Sequence, residues 1–162
     1  MTEPQLEYAV TAHPAQRRAK HRCIINGVLT LLLALNSSAD FVLLTYLAIV
    51  HHYEIYYLHN VSGFVRLVGV AFIFTYSILA IIGAHKFNAS NRRWVASIRW
   101  LTWTTLALVL AEIAWHIRGI IVYSPNPDYF LRPYIIAYYI LLISTLLMNA
   151  LVLRSSYTLL AD

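Results

Sequence analysis

LTWTTLALVLAEIAWHIRGIIV, residues 101–122, is an apolar run that nevertheless contains Glu112, His116 and Arg118. A bilayer core about 30 Å thick is crossed by about 20 helical residues, so this run is long enough to span a membrane. A charged group inside such a span costs roughly 2.5 to 3.5 kcal/mol on insertion scales unless it finds a partner. The run therefore predicts a transmembrane helix, and its three polar residues are the first candidates for function.

The composition of the whole chain also favours a membrane environment. Of its 162 residues, 60 % are hydrophobic and 12 % charged, and the mean hydropathy is +0.63. An ordinary soluble domain is about 45 to 50 % apolar and about 25 % charged. The net charge of +5 sits in short basic clusters beside apolar runs, which is typical of contact with lipid headgroups and not of nucleic-acid binding. The lipid bilayer is therefore the first predicted partner.

Four apolar runs organise the sequence. They predict transmembrane helices over residues 27–50, 64–84, 101–122 and 133–153. These runs form one membrane domain, residues 23–153, preceded by a polar basic leader of residues 1–22 and followed by a short tail, 154–162. Backbone in lipid must satisfy its own hydrogen bonds, and short connections favour antiparallel neighbours. The fold class predicted is an all-α integral membrane bundle of four transmembrane helices.

The distribution of basic residues predicts the orientation. Lysines and arginines concentrate in the leader and in residues 85–100, and Arg154 begins the tail. The positive-inside rule therefore places the N and C termini in the cytosol. Asn60 then lies on the opposite side in an Asn-x-Ser sequon and is a possible glycosylation site. The predicted localisation is a multi-pass protein of the plasma membrane or an endomembrane.

Polar residues in the first and third runs form the candidate site. Asp40 and Glu112 each lie ten residues before the outer end of their run, about 15 Å along a helix and near the bilayer middle. Asn36 lies one turn from Asp40, and His116 lies one turn from Glu112. We expect these two faces to meet as polar intramembrane contacts. Arg118 belongs to another face and is expected to reach the outer headgroups or Asp40.

Two classes of function are compatible with these residues. They can hold helices or subunits together without chemistry. Alternatively, Asp40, Glu112 and His116 are catalytic, with a carboxyl as general acid and His116 as base, in an isomerase or cyclase type of enzyme acting on a lipophilic small molecule. The same acids would also suit a small proton-linked transporter.

Several kinds of chemistry have no signature in the sequence. It contains no GxSxG, HExxH, P-loop or Rossmann glycine motif. The single cysteine, Cys23, provides no thiol pair. His116 is the only histidine well inside a run, so no facing pair for a haem is expected. We expect no cofactor and no metal site, and we favour a nonenzymatic protein.

The layout of residues 23–153, with four spans, cytosolic termini and small outer loops, resembles the tetraspan membrane proteins of the MARVEL type. The resemblance implies membrane organisation or trafficking. Together with the composition, it predicts an accessory, scaffolding or trafficking component that acts through lateral helix contacts. The expected partner is another membrane protein or a second copy of the chain.

Overall fold

The computed structural model describes residues 14–50, 61–123 and 133–161. Within these ranges the chain forms four long helices, α1 Pro14–Val50, α2 Val61–Ile82, α3 Arg92–Tyr123 and α4 Pro133–Ala161. A short 3₁₀ helix, Gly83–Lys86, continues α2. By length and composition, each long helix can cross a membrane. The predicted all-α layout with four candidate membrane helices is confirmed for the described residues.

The helices extend beyond the predicted spans. α1 begins at Pro14 instead of residue 27, and α4 ends at Ala161 instead of residue 153. The last turns of α4 also bury Ser156 and Leu159. Residues 14–22 and 154–161, which the sequence placed in a leader and a tail, are therefore parts of the bundle helices.

The corner between α2 and α3 is closed by side chains. The Asn91 side chain accepts a hydrogen bond from Trp94 N at 3.3 Å, and Asn88 Oδ1 accepts one from Asn91 N at 3.0 Å. Asparagine is a preferred helix cap, and the cap lets α3 begin at Arg92 instead of residue 101. A Cβ at Gly83 would overlap the Trp94 ring. The corner therefore requires glycine at this position.

Each helix packs against particular neighbours. α1 packs along α2 and α4, whereas α3 packs along α4 and less extensively against α2. Among the described residues, α1 and α3 do not form a comparable packed pair. Within these residues the first and third spans each pack against α4, and the meeting of their polar faces stays a prediction.

α1 and α2 approach each other through small residues. Cys23 and Gly27 lie one turn apart on α1, and Cys23 Sγ is 3.5 Å from Ala80 O on α2. A Cβ at Gly27 would lie 3.1 Å from Ser77 O and 3.2 Å from Ala80 Cβ. Small residues allow backbones in membranes to approach closely, so this seam sets the position of α1 on α2.

One end of the bundle collects most of the basic residues. Here Arg22 Nη1 donates to Ser155 Oγ at 3.0 Å, and Arg92 Nη2 donates to Leu160 O at 2.5 Å. The Arg99 guanidinium lies 5.0 Å from the centre of the Tyr157 ring. These contacts bring residues 14–22, 83–99 and 154–161 together, and we call this region the basic end.

Candidate functional site

A layer of buried polar side chains joins the four helices. Asn26 of α1, Tyr76 of α2, Thr102 of α3 and Asn149 of α4 are each at most 1 % exposed. Asn26 Nδ2 donates to Tyr76 OH at 2.7 Å and to Asn149 Oδ1 at 3.1 Å. Tyr76 OH and Thr102 Oγ1 are 3.0 Å apart. We call these four residues the polar layer.

The direction of the hydrogen bonds in the layer follows from its partners. Thr102 donates its single hydroxyl proton to Ile98 O at 2.6 Å, so Tyr76 OH donates to Thr102 Oγ1 and accepts from Asn26. Asn149 Nδ2 donates to Thr145 O at 2.9 Å. Asn26 Oδ1 is then a buried acceptor without a hydrogen bond. The layer is a directed chain of bonds with one acceptor left over.

A second pair of hydroxyls lies beside the layer, since Thr30 is one turn from Asn26 and Ser77 directly follows Tyr76. Ser77 Oγ lies 2.9 Å from Thr30 Oγ1, across the seam between α1 and α2. Thr30 also donates to its own helix, at 2.8 Å from Asn26 O. The contact between α1 and α2 therefore combines small residues with a hydroxyl bridge.

The polar layer is chemically neutral. Among the described side chains, no charged residue is buried, and no group of three His, Cys, Asp or Glu could hold a metal ion. Amide, hydroxyl and phenol groups of this kind donate and accept hydrogen bonds without supplying an acid or base near neutral pH. In membrane proteins each such bond is worth about 0.6 kcal/mol on average. The layer therefore fixes the positions of the four helices.

Three of the side chains that the sequence singled out lie in the described part of the structure. Asn36 lies on the exposed face of α1, and Arg118 is exposed on α3. Glu112 is half-buried, and its Oε1 accepts a hydrogen bond from Tyr138 OH of α4 at 3.1 Å. Asp40 belongs to α1 and His116 to α3, but their side chains lie outside the described part of the structure. Asn60 also lies outside the described residues.

The polar layer gives a common level from which depth is measured. Asn36 is ten residues from Asn26, and Glu112 is ten residues from Thr102, so both lie about 15 Å beyond the layer. Asp40 is 14 residues from Asn26, which places it about 21 Å beyond the layer. The structure thus puts Glu112 level with Asn36. By this count Asp40 lies about one turn farther from the polar layer than Glu112. Counting from the outer ends of the runs had indicated the same depth for both residues.

Sequence reasoning did not identify the polar layer. Asn26 falls just before the predicted first span, and Thr102 falls at the start of the predicted third span, so both had the positions of membrane-boundary residues. Tyr76 and Asn149 lie inside the second and fourth spans. The available signal was that Asn26, Thr102 and Asn149 each lie within five residues of an arginine at the edge of their run, whereas Tyr76 lies ten residues from Lys86.

Comparison of the chain with protein-family models, with curated proteins and with solved structures gave no match.

Proposed function

We propose that this chain is a small polytopic integral membrane protein that acts as an accessory, scaffolding or trafficking component through lateral helix contacts. Its basic end faces the cytosol, in accordance with the positive-inside rule. The four apolar helices and the neutral buried layer support a bundle whose interior is structural. The plasma membrane and the endomembranes are both compatible with this role, as is the resemblance to MARVEL-type tetraspan proteins.

The exposed amide of Asn36 is the observation that carries the proposal. No hydrogen bond joins its side chain to another described residue. Asn36 lies 14 residues beyond Arg22 of the basic end, about 21 Å along α1 and inside a hydrocarbon core about 30 Å thick. Lipid tails offer an amide no hydrogen bond, and an unsatisfied polar group there costs several kcal/mol. A donor or acceptor from outside the bundle removes this cost.

A second copy of the chain is the simplest source of that partner. An asparagine side chain carries both donors and an acceptor, so two Asn36 amides can pair across a twofold axis. The exposed residues beside Asn36 are apolar, with Leu32 48 % and Leu35 51 % exposed. Such a face permits contact between two α1 helices without adding a second polar group. A different membrane protein with an intramembrane polar residue meets the same requirement.

The test compares self-association of the wild-type chain, Asn36→Leu and a control in a lipid bilayer. Two differently tagged copies are expressed together, and their co-purification and cross-linking are measured. Because a polar contact between membrane helices is worth about 0.6 to 1.7 kcal/mol, we expect Asn36→Leu to reduce association about three- to twentyfold. Unchanged association in Asn36→Leu would overturn the assignment of Asn36.

Thr75→Val is the matched control. Thr75 is also an exposed polar residue of a candidate membrane helix. Its hydroxyl, however, donates to Ala71 O of its own helix at 2.9 Å, so it needs no external partner. We expect Thr75→Val to associate like the wild type. An equal loss of association in Asn36→Leu and Thr75→Val would show a general effect of polar residues on the bundle surface. It would count against a specific contact through Asn36.

The pair formed by Glu112 and Tyr138 favours a second candidate function. A carboxyl and a phenol in contact inside a bundle can hold and move a proton. This supports the alternative of a membrane enzyme for a lipophilic substrate, or a proton-linked transporter, using Asp40, Glu112 and His116. Glu112→Gln keeps an acceptor for Tyr138 and removes the acid. Normal assembly combined with loss of a biological activity in Glu112→Gln would favour this alternative over the scaffolding role.

A further inference from the structure

A cleft of about 140 Å³ lies at the basic end, between the first turns of α1 and the last turns of α4. Its polar lining comes from Arg18 and Arg22 of α1 and from Arg154, Ser155 and Thr158 of α4. Arg18 and Arg22 are one turn apart on the same helix face. Three arginines from two helices therefore line one cleft.

These three arginines have no acidic partner within the described part of the chain. The two acidic residues of that part, Asp40 and Glu112, lie 18 residues beyond Arg22 and 13 beyond Arg99, far from the cleft. Arg22 is held by its hydrogen bond to Ser155 Oγ at 3.0 Å, which leaves further N–H groups of the same guanidinium for a ligand. Among the described residues, the cleft therefore has an excess of positive charge and of donors.

The hydroxyl groups of the cleft do not add to those donors. Ser155 donates to Leu151 O at 2.9 Å, and Thr158 donates to Arg154 O at 3.1 Å. The donors that face a ligand are thus guanidinium N–H groups. Arginine remains charged at any physiological pH, and its planar fork matches the oxygens of phosphate. This set of groups selects an anion with several acceptor oxygens.

The size and position of the cleft restrict the anion. Its volume of about 140 Å³ is well above the roughly 10 to 15 Å³ that a cavity needs to hold one water, so it accommodates a phosphate group and leaves the rest of a larger ligand outside. Ala15, Ala19 and Leu159 form its apolar wall. The apolar run of α1 begins directly after Arg22, and that of α4 ends directly before Arg154. The cleft is therefore located where a bilayer has its headgroups.

We propose that this cleft binds the phosphate group of an anionic phospholipid, with the acyl chains lying along the apolar surface of α1 and α4. Basic pockets between membrane helices on the cytoplasmic side are suited to such headgroups. The site would anchor the basic end in an anionic leaflet. It uses none of the residues of the Asn36 contact and does not depend on lateral association.

Retention of lipid by the full-length protein tests the site. The protein is reconstituted into nanodiscs of phosphatidylcholine containing phosphatidic acid, released under mild conditions and analysed by native mass spectrometry. We expect the wild type to retain phosphatidic acid in preference to phosphatidylcholine. Because one charge-assisted hydrogen bond is lost, Arg18→Gln and Arg154→Gln should each reduce this retention on the order of tenfold. Both arginines are exposed, so both variants are expected to fold.

Arg93→Gln is the matched control. Arg93 is exposed at the same basic end and lies outside the lining of the cleft, so its replacement removes the same charge. We expect it to retain phosphatidic acid like the wild type. Equal losses in all three variants would assign the effect to overall surface charge and would overturn the site.

Two further results would also overturn the assignment. If inorganic phosphate raises the melting temperature while phosphatidic acid in the nanodisc does not, the cleft binds a soluble anion. If the wild type retains no phosphatidic acid but the double variant Glu3→Gln with Glu7→Gln does, the leader carboxylates and not a lipid occupy the cleft. Preferential retention that is lost only in Arg18→Gln and Arg154→Gln supports the lipid site.

Discussion

At the scale of single residues, three asparagines in the apolar helices have different environments. Asn26 and Asn149 are fully buried and bonded to each other, whereas Asn36 is exposed. Each residue of a helix turns the chain by about 100°, so Asn36, ten residues from Asn26, points about 80° away from it. The same side chain therefore holds the bundle together at one position and is available to a partner at the other.

The hydroxyl of Tyr76 is the central group of the polar layer, because it accepts from Asn26 and bonds to Thr102. We predict that Tyr76→Phe lowers the free energy of unfolding by on the order of 1 kcal/mol, since both partners lose one bond and Phe keeps the ring. Unfolding in a denaturing-detergent titration measures the change.

Tyr157→Phe is the control for this prediction. Tyr157 is 50 % exposed, and its hydroxyl accepts only a bond of 3.3 Å from Trp103 Nε1. A smaller loss of stability is therefore expected than in Tyr76→Phe. Equal losses of unfolding free energy in the two variants would mean that the buried hydroxyl of Tyr76 stabilises the protein no more than the exposed hydroxyl of Tyr157.

At the scale of helices, close approach and capping decide how the elements meet. Gly27 allows α1 to lie against Ser77 and Ala80 of α2, and Gly83 allows the Trp94 ring to cover the corner before α3. Both positions are ones where a larger side chain would push two elements apart. The bundle therefore depends on these glycines for packing, and not for flexibility.

Gly27→Ala tests the seam between α1 and α2. The added Cβ would lie 2.7 Å from Ile81 Cγ1 and 3.1 Å from the backbone oxygen of Ser77, so the helices must separate. We expect a loss of about 1 to 3 kcal/mol in unfolding free energy, which is the usual cost of overpacking. The same detergent titration provides the measurement.

Gly69→Ala is the matched control for Gly27→Ala. Gly69 belongs to α2 and lies near α3, away from the seam with α1. Its Cβ would lie 3.5 Å from Leu108 Cδ2, an ordinary contact. Because alanine favours a helix by up to about 1 kcal/mol over glycine, this variant should be as stable as the wild type or more so. A destabilised Gly69→Ala with an unaffected Gly27→Ala would contradict the packing described for the seam.

At the scale of the whole molecule, charge is distributed asymmetrically along the bundle. Nine of the 12 basic residues lie in residues 14–22, 83–99 and 154–161, which the structure brings to one end. Lys86 Nζ lies 5.8 Å from the centre of the Trp94 ring, and such cation–π contacts keep long basic side chains beside aromatic rings. By the positive-inside rule, this asymmetry predicts an orientation for the bundle in a membrane.

Cysteine labelling tests that orientation. In a Cys23→Ala background, Ala89→Cys places a thiol on the exposed corner before α3, and Ser124→Cys places one after α3. If the basic end is cytosolic, a membrane-impermeant maleimide should leave Ala89→Cys unlabelled in intact cells and label it after selective permeabilisation of the plasma membrane. Under that selective permeabilisation Ser124→Cys should gain no labelling. Labelling of Ala89→Cys in intact cells would reverse the proposed topology.

Much of the fold could be predicted from the sequence because it depends on consecutive residues. Long apolar runs with few charges indicate membrane helices whatever their neighbours are. The ends were predicted less well, since Pro14 and Ala161 lie in stretches where polarity stops indicating a span although the helix continues. Packing of Leu159 holds the end of α4, and capping by Asn91 sets the start of α3 at Arg92; neither contact is visible in hydropathy.

The sequence by itself determined that the protein has four apolar helices, a basic end and a few polar side chains within the helices. Only the tertiary structure decided which polar residues meet. It brought Asn26, Tyr76, Thr102 and Asn149 together, paired Glu112 with Tyr138, and left Asn36 on the outside. The physical reason is that inward and outward faces depend on the rotation of each helix about its axis. That rotation is set by packing between helices, at contacts such as Gly27 against Ser77, and these involve residues far apart in the chain.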